Sequence, residues 1–321
     1  MSPDSFIPPQ PLNTAVLFLV FNRLDTTQQV FEAIREAKPP RLYIAADGAR
    51  ETKAGEAEKV TAVRDFLLQN IDWECEIKTL FREENLGCKY AVSSAIDWFF
   101  ENEEMGIILE DDCLPSQGFF GFCEEMLLRY KDDMRIWHIG GASTLNKKML
   151  LNNESYYFSK FNHIWGWASW SSRWKEYDVN VPLFKDFSKN NYIENISGNM
   201  LKKSFWLNNF ESVFENKIDT WDYQWYFTVW VNSGLSIIPT VNMISNIGFG
   251  VDATHTSDAG NKLSNMTKEN MSSNLIHPKL VMPNILYDNY NSNFLFSLTY
   301  FGFFKRKIIT KIKEIIRKSS L

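Results

Sequence analysis

The chain has 321 residues, 45% hydrophobic and 23% charged, the profile of a folded globular protein rather than a disordered one, and that length fits one large α/β domain with or without appendages. The net charge of −5 is uneven: residues 305–321 hold seven Lys/Arg against one acid, +6, which leaves −11 on the preceding 304 residues. An acidic body of that kind argues against nucleic acid as a partner.

Four cysteines, Cys75, Cys88, Cys113 and Cys123, show no CxxC and no zinc-ligand spacing. Reduced thiols in a cytoplasmic protein are therefore expected in place of a disulfide framework. The N-terminus has no charged n-region followed by an apolar h-region, so no signal peptide is expected. No apolar run reaches the ~18 residues of a spanning helix.

In chain order, residues 1–13 read as an extension and Ala15 to Phe21 as a buried strand. Asp25 and Gln28 resemble a helix-start box, and Val30, Phe31 and Ile34 form a helical stripe stopped at Pro39-Pro40. Leu42 to Ala46 is a second strand, ending at Asp47-Gly48. Val60, Val63 and Leu67 mark the next helix, and Cys75 to Phe81 a third strand. Ala91, Ala95 and Trp98 stripe a helix after Asn85-Leu86-Gly87, and Ile107 to Leu109 is a strand running into Glu110-Asp111-Asp112.

Strands separated by helices of this length predict an α/β fold with a mostly parallel central sheet and helices on both faces. Such sheets bind ligands beyond the C-terminal ends of their strands. Here those ends are Phe21-Asn22-Arg23, Asp47-Gly48, Arg82 and Glu110-Asp111-Asp112, so polar groups stand where that rule puts a site. The second half is less regular. Four tryptophans fall within 156–174 and four more within 205–231, the latter read as helical, while 252–274 is a polar loop. Aromatics reach 15% of the chain, which fits a bulky core and also fits indole platforms for sugar faces.

Three consecutive acids at a buried strand end repel one another and lose hydration unless a cation compensates them. Hard carboxylate oxygens suit Mg²⁺ or Mn²⁺. On an extended backbone Glu110 and Asp112 would point one way and Asp111 the other, so a divalent ion and the hydroxyls of a sugar or ribose could be met on opposite sides. An acidic run in a solvated loop would mean nothing; the apolar strand before it selects the reading of a site.

The stretch GIILEDDCLPSQGFFGFCEEML resembles the metal-binding segment of GT-A fold glycosyltransferases. It is most similar to the N-acetylglucosaminyltransferase I type, and the chain also looks like bacterial members among surface-polysaccharide enzymes. The resemblance covers roughly residues 14–257 and is patchy between motifs. It implies a catalytic domain over 14–290, with a nucleotide-sugar half at 14–145 and an acceptor half at 146–290. It further implies that Phe21, Asn22, Arg23, Asp47, Asn85 and Gly87 surround a nucleotide diphosphate sugar, a uridine one in that family.

By the same resemblance Asp112 would ligate the metal, and Glu110 and Asp111 would contact donor sugar and ribose. Trp165-Gly166-Trp167 looks like the acceptor loop. Thr220-Trp221-Asp222 looks like the step that supplies the catalytic base. His255, beyond Gly248 and Gly250, would reach the metal or diphosphate. Arg23, Arg82 and Lys89 are candidate cationic helpers, each of them equally readable as half of a surface ion pair.

The implied activity is inverting, metal-dependent transfer to a glycan or lipid-linked glycan acceptor. An acid among Trp221, Trp225 and Tyr226 is expected to have a raised pKa and to act as a general base, although an acid in the first turn of a helix also suits the macrodipole. A sugar nucleotidyltransferase is the competing enzyme, but Asn22-Arg23-Leu24-Asp25 lacks that class's glycine-rich loop. A non-catalytic glycan- or lipid-binding protein on the same fold is the competing non-enzyme. A Rossmann dehydrogenase is disfavoured by the absence of GxGxxG.

Residues 291–321 read as a tail: an aromatic stretch, then a helix with Ile308, Ile312, Ile315 and Ile316 on one face and lysines and arginines around the rest. That pattern suits an anionic membrane surface, on the inner face of which the protein would be peripheral.

Overall fold

The structure is a computed structural model that describes residues 12–146, 150, 152–197, 199–249, 266–271 and 274–296. His255 and most of the tail lie outside the described residues, and with them the expectations of a metal-reaching histidine and of a membrane-binding helix. Among the described residues no helix is long and apolar enough to cross a membrane.

The first half builds as its pattern predicts. Strands β1 (Ala15–Val20), β2 (Arg41–Ala46), β3 (Glu76–Phe81) and β4 (Met105–Glu110) alternate with helices α1 (Leu24–Ala37), α2 (Glu56–Asn70) and α3 (Gly87–Asn102). β1 pairs in parallel with β2 and with β4, and β2 in parallel with β3. The expected start box at Asp25 is not the cap. The N-cap of helix α1 lies two residues earlier, at Arg23, with no capping side chain.

Two short strands follow β4: β5 (Cys113–Pro115) and, after helix α4 (Gln117–Arg129), β6 (Ile136–Gly140). The second half adds β7 (Tyr156–Ser159), β8 (Trp167–Trp170), β9 (Leu235–Pro239) and β10 (Ile244–Asn246). Its helices are α5 (Ser171–Trp174), α6 (Phe184–Lys189), α7 (Met200–Phe214), α8 (Asp222–Val231) and α9 (Ile285–Phe296). The tryptophan-rich stretch 205–231 is thus two helices with a break, and Trp221 lies in the break.

Among the described residues eight strands form one sheet in the order β3-β2-β1-β4-β8-β6-β9-β7. It is a mostly parallel α/β sheet flanked by helices. β8 runs antiparallel to both β4 and β6, and β7 antiparallel to β9, so one sheet passes through both halves of the chain. Each face of the sheet has its own core, as a period of two requires. Val16, Phe18 and Val20 of β1 pack with α1, α2 and α4, while Ala15, Leu17 and Leu19 pack with α3, α7 and α8.

Candidate active site

The order in which strands join the sheet reverses between β1 and β4, which run parallel. From β1 the sheet grows outward through β2 and β3, then resumes on the other side with β4. A crevice opens at the carboxyl ends of strands at such a switch point, because the connections leave in opposite directions. A cleft of about 760 Å³ occupies it, lined among others by Phe21, Arg23, Asp47, Arg82, Glu110, Asp111, Asp112, Trp165, Asp219 and Asp222.

At the centre, Arg23 from the end of β1 meets the acids from the end of β4. Its Nη2 donates to Asp111 Oδ1 and, at 2.9 Å, to Asp112 Oδ2. The strand stops at Glu110 and the backbone turns through Asp111-Asp112 before β5. The expected alternation therefore fails: Asp111 and Asp112 converge on one guanidinium instead of pointing apart. Burial, then the charges of Asp112 and Asp111, with a smaller push from Asp222, raise the pKa of Glu110. Burial raises Asp111 too, against the pull of Arg23.

The roof comes from far along the chain. β10 pairs antiparallel with β5, and Ile247 N donates to Asp112 O at 2.9 Å. Gly248 then lies over Asp112 and Arg23, so close that a Cβ there would collide with Asp112 Oδ2. Trp165 meets Phe249 edge-on at 6.0 Å between ring centroids.

Asp222, which also lines the cleft, opens α8 and accepts from Thr220 Oγ1. The thiol of Cys88, in the first turn of α3, gauges the convergence. Burial first, then the charges of Glu110, Asp219, Asp222 and Asp47, push its pKa up. Acids from both halves therefore surround one region of the cleft.

Several expected residues are placed otherwise. Trp167 is fully buried, with His138 stacked at 5.2 Å and Trp221 at 5.7 Å, so it offers no face to an acceptor and belongs to the core. Trp221 is also buried, although it reaches the cleft lining. Gly166 has φ +59° against Ile244 and serves the turn into β8. Lys89 is buried with Nζ on Asn216 Oδ1 at 2.7 Å, away from the cleft. Asn22 donates to Glu56 Oε1 at 2.9 Å and does not line the cleft.

Asp47 lines the cleft, but its oxygens accept from Asn85 Nδ2, Leu86 N and Gly87 N at 2.9–3.1 Å, holding the turn before α3. Arg82 lines the cleft and gives Nη2 to Ser94 Oγ at 2.7 Å, while its Nη1 has no hydrogen-bond partner among the described residues. Arg50, Asp219 and Asn209 are among the lining residues that sequence reasoning did not single out. Arg50 lies over the Phe21 ring at 5.4 Å and pairs with Glu56, Asp219 caps α3, and Asn209 comes from α7. Nothing in their sequence neighbourhoods marks them.

No protein-family model matches the chain, and no curated protein matches it. Similarity to solved structures is found with HddC from Yersinia pseudotuberculosis, at 11% identity and TM-score 0.31 over 51% of this chain and 80% of that one. It is also found with residues 1–349 of TarS from S. aureus, at 10% and 0.33 over 52% and 49%. A third is UDP-glucose pyrophosphorylase complexed with UDP-glucose, at 10% and 0.32 over 51% and 78%. Scores this low place no activity on the present chain.

The fit of a metal follows from the donor set. Among the described residues no group of three or more His, Cys, Asp or Glu gathers into a cage. Mg²⁺-type ions, however, are commonly held by one or two carboxylates together with substrate phosphates and water. The carboxylates of Asp112 and its neighbours, brought to the cleft with Arg23 beside them, fit such a partial shell.

Proposed function

We propose that this protein is a glycosyltransferase that moves a sugar from a nucleoside diphosphate donor, uridine-linked by the family resemblance, to a hydroxyl of a glycan or lipid-linked glycan, with inversion. The observation that carries the reading is the gathering of Arg23, Glu110, Asp111 and Asp112 at the switch point, with Asp222 lining the same cleft. A donor needs cationic and hard-oxygen groups at its diphosphate and a base on the far side of its anomeric carbon.

In this reading Phe21, Arg50 and Arg82 flank the nucleoside and Arg23 turns to the diphosphate. Glu110 and Asp111 accept from donor hydroxyls; a carboxyl kept partly protonated by burial can donate as well. Asp112 would hold Mn²⁺ or Mg²⁺, which when bound would neutralise charge gathering on the leaving diphosphate. Asp222 takes the proton of the acceptor hydroxyl as its oxygen bonds to the anomeric carbon. The bond from that carbon to the β-phosphate oxygen breaks, and the nucleoside diphosphate leaves with its electron pair. Trp165, whose ring edges the cleft beside Phe249, supplies apolar surface for the acceptor.

The test is a panel of uridine, guanosine, thymidine and cytidine diphosphate sugars, assayed for binding and turnover with Mn²⁺. Asp222→Asn is expected to bind the donor as the parent does and lose kcat at least 100-fold, the pattern of a group that acts in the transition state. Absence of binding across the panel, or kcat within a few-fold of the parent, rejects the proposal.

A further inference from the structure

Helix α3 opens beside the cleft, and the backbone N–H groups at its start have no partner inside the helix. Two carboxylates from segments far apart in the chain divide four of them. Asp47, at the end of β2, takes those of Leu86 and Gly87. Asp219, in the break between α7 and α8, takes those of Cys88 at 3.0 Å and Lys89 at 2.8 Å. A second tie joins the same two segments, from Lys89 Nζ to Asn216 Oδ1 at 2.7 Å. Gly87 makes the approach possible: its φ is +76°, and a Cβ there would lie 2.8 Å from Asp219 Oδ2.

Asp222 lies three residues beyond Asp219, on a segment held at its other end as well. Gln224 Nε2 donates to Thr220 O, and Tyr177 Oη donates to Trp221 O at 3.1 Å. The 216–222 segment is thus slung between α3 and α8. Both Asp219 oxygens are already accepting, and a carboxylate at a helix N-terminus is further stabilised by the helix dipole. With both oxygens committed to α3, it is an anchor.

We propose that Asp219 is a positioning residue, a staple that fixes the Asp222 segment against the half carrying Arg23 and the acid triplet. The inference rests on the function proposed above. Asp219 lines the cleft, but its oxygens are spent on the Cys88 and Lys89 amides; its part is to set how far the base stands from the anomeric carbon, and an error of ~1 Å in such a distance can cost ~100-fold in rate.

The experiment uses the full chain with Asp219→Asn, near-isosteric but uncharged and with one acceptor oxygen, and with Asp219→Ala, which has none. Amide hydrogen exchange is followed at 86–90 and 216–223, and kcat and donor KM are measured per folded molecule. Exchange is expected to rise about tenfold or more in both segments. The kcat is expected to fall roughly 10- to 100-fold, more for Ala than for Asn, with donor KM within about threefold. Exchange that stays at the parent level in 216–223 overturns the staple whatever the activity, and so does a kcat per folded molecule within twofold of the parent. Exchange needs no substrate. A parent without turnover on any donor would therefore reject the proposed function and leave exchange to decide the staple.

Discussion

A Cβ on Gly248 would lie 2.7 Å from Arg23 Nη1 and inside the van der Waals surface of Asp112 Oδ2. The neighbours are a charged pair that the cleft needs in place, so the segment after β10 must lift or the pair must part. Gly248→Ala is expected to weaken donor binding about tenfold and to cost about 1–3 kcal/mol of stability, the range for overpacking, read by calorimetric titration and denaturant midpoint. Donor affinity equal to the parent's would mean that the roof does not rest on Arg23 and Asp112 in solution. At this scale the sequence showed the acids and Arg23, because each ends an apolar strand. Asp219 was illegible. An aspartate in Lys-Ile-Asp-Thr-Trp-Asp carries no sign that its partners are amides 130 residues earlier. Lys89 was misread for the same reason: its partner Asn216 is equally remote.

At the scale of elements, the strand–helix alternation of the first half was legible because each unit completes its hydrogen bonds and its apolar face locally. The second half was not. β8 inserts between β4 and β6, and β10 pairs with β5 across more than a hundred residues, pairings that no periodicity announces. The same blindness made Trp165-Gly166-Trp167 look like one acceptor loop. In fact Gly166 turns the chain, so that Trp165 faces the cleft and Trp167 enters β8 with no exposed surface. Trp167→Ala is expected to destabilise by about 3–5 kcal/mol, the cost of emptying a buried indole site. Trp165→Ala is expected to cost no more than about 1 kcal/mol and to raise the acceptor KM. Denaturation and acceptor kinetics on the two variants separate core from platform, and equal stability losses would contradict the assignment.

At the scale of the whole molecule, the sheet is bound to its helical layer through a buried histidine. His138 on β6 is fully buried; its Nδ1 accepts from Trp225 Nε1 of α8 at 3.2 Å, and its Nε2 donates to His163 O at 3.0 Å. Both nitrogens are satisfied only in the neutral tautomer with the proton on Nε2. Burial pushes its pKa from 6.5 down to about 3, against the backbone hydrogen bond to His163 O. A folded pKa below the unfolded one means that the unfolded chain takes up the proton first. The contribution of His138 is therefore complete above pH 6.5 and is lost as pH falls toward 3. The raised carboxyls of Glu110, Asp111 and Asp288 act in the opposite sense, since their stabilisation is fullest at low pH and declines as pH rises. The bare pH curve is consequently a sum of opposed terms, and a difference between proteins isolates one of them. His138→Gln can keep both hydrogen bonds, with an amide oxygen toward Trp225 and an amide nitrogen toward His163 O, but it cannot be protonated. Between pH 7 and pH 5 the parent is expected to lose about 2 kcal/mol more than the variant, from about 1.4 kcal/mol per pH unit below 6.5, measured as the shift in unfolding free energy from urea titrations at the two pH values. Parallel losses in parent and variant would mean that His138 takes up its proton without opening the layer between β6 and α8.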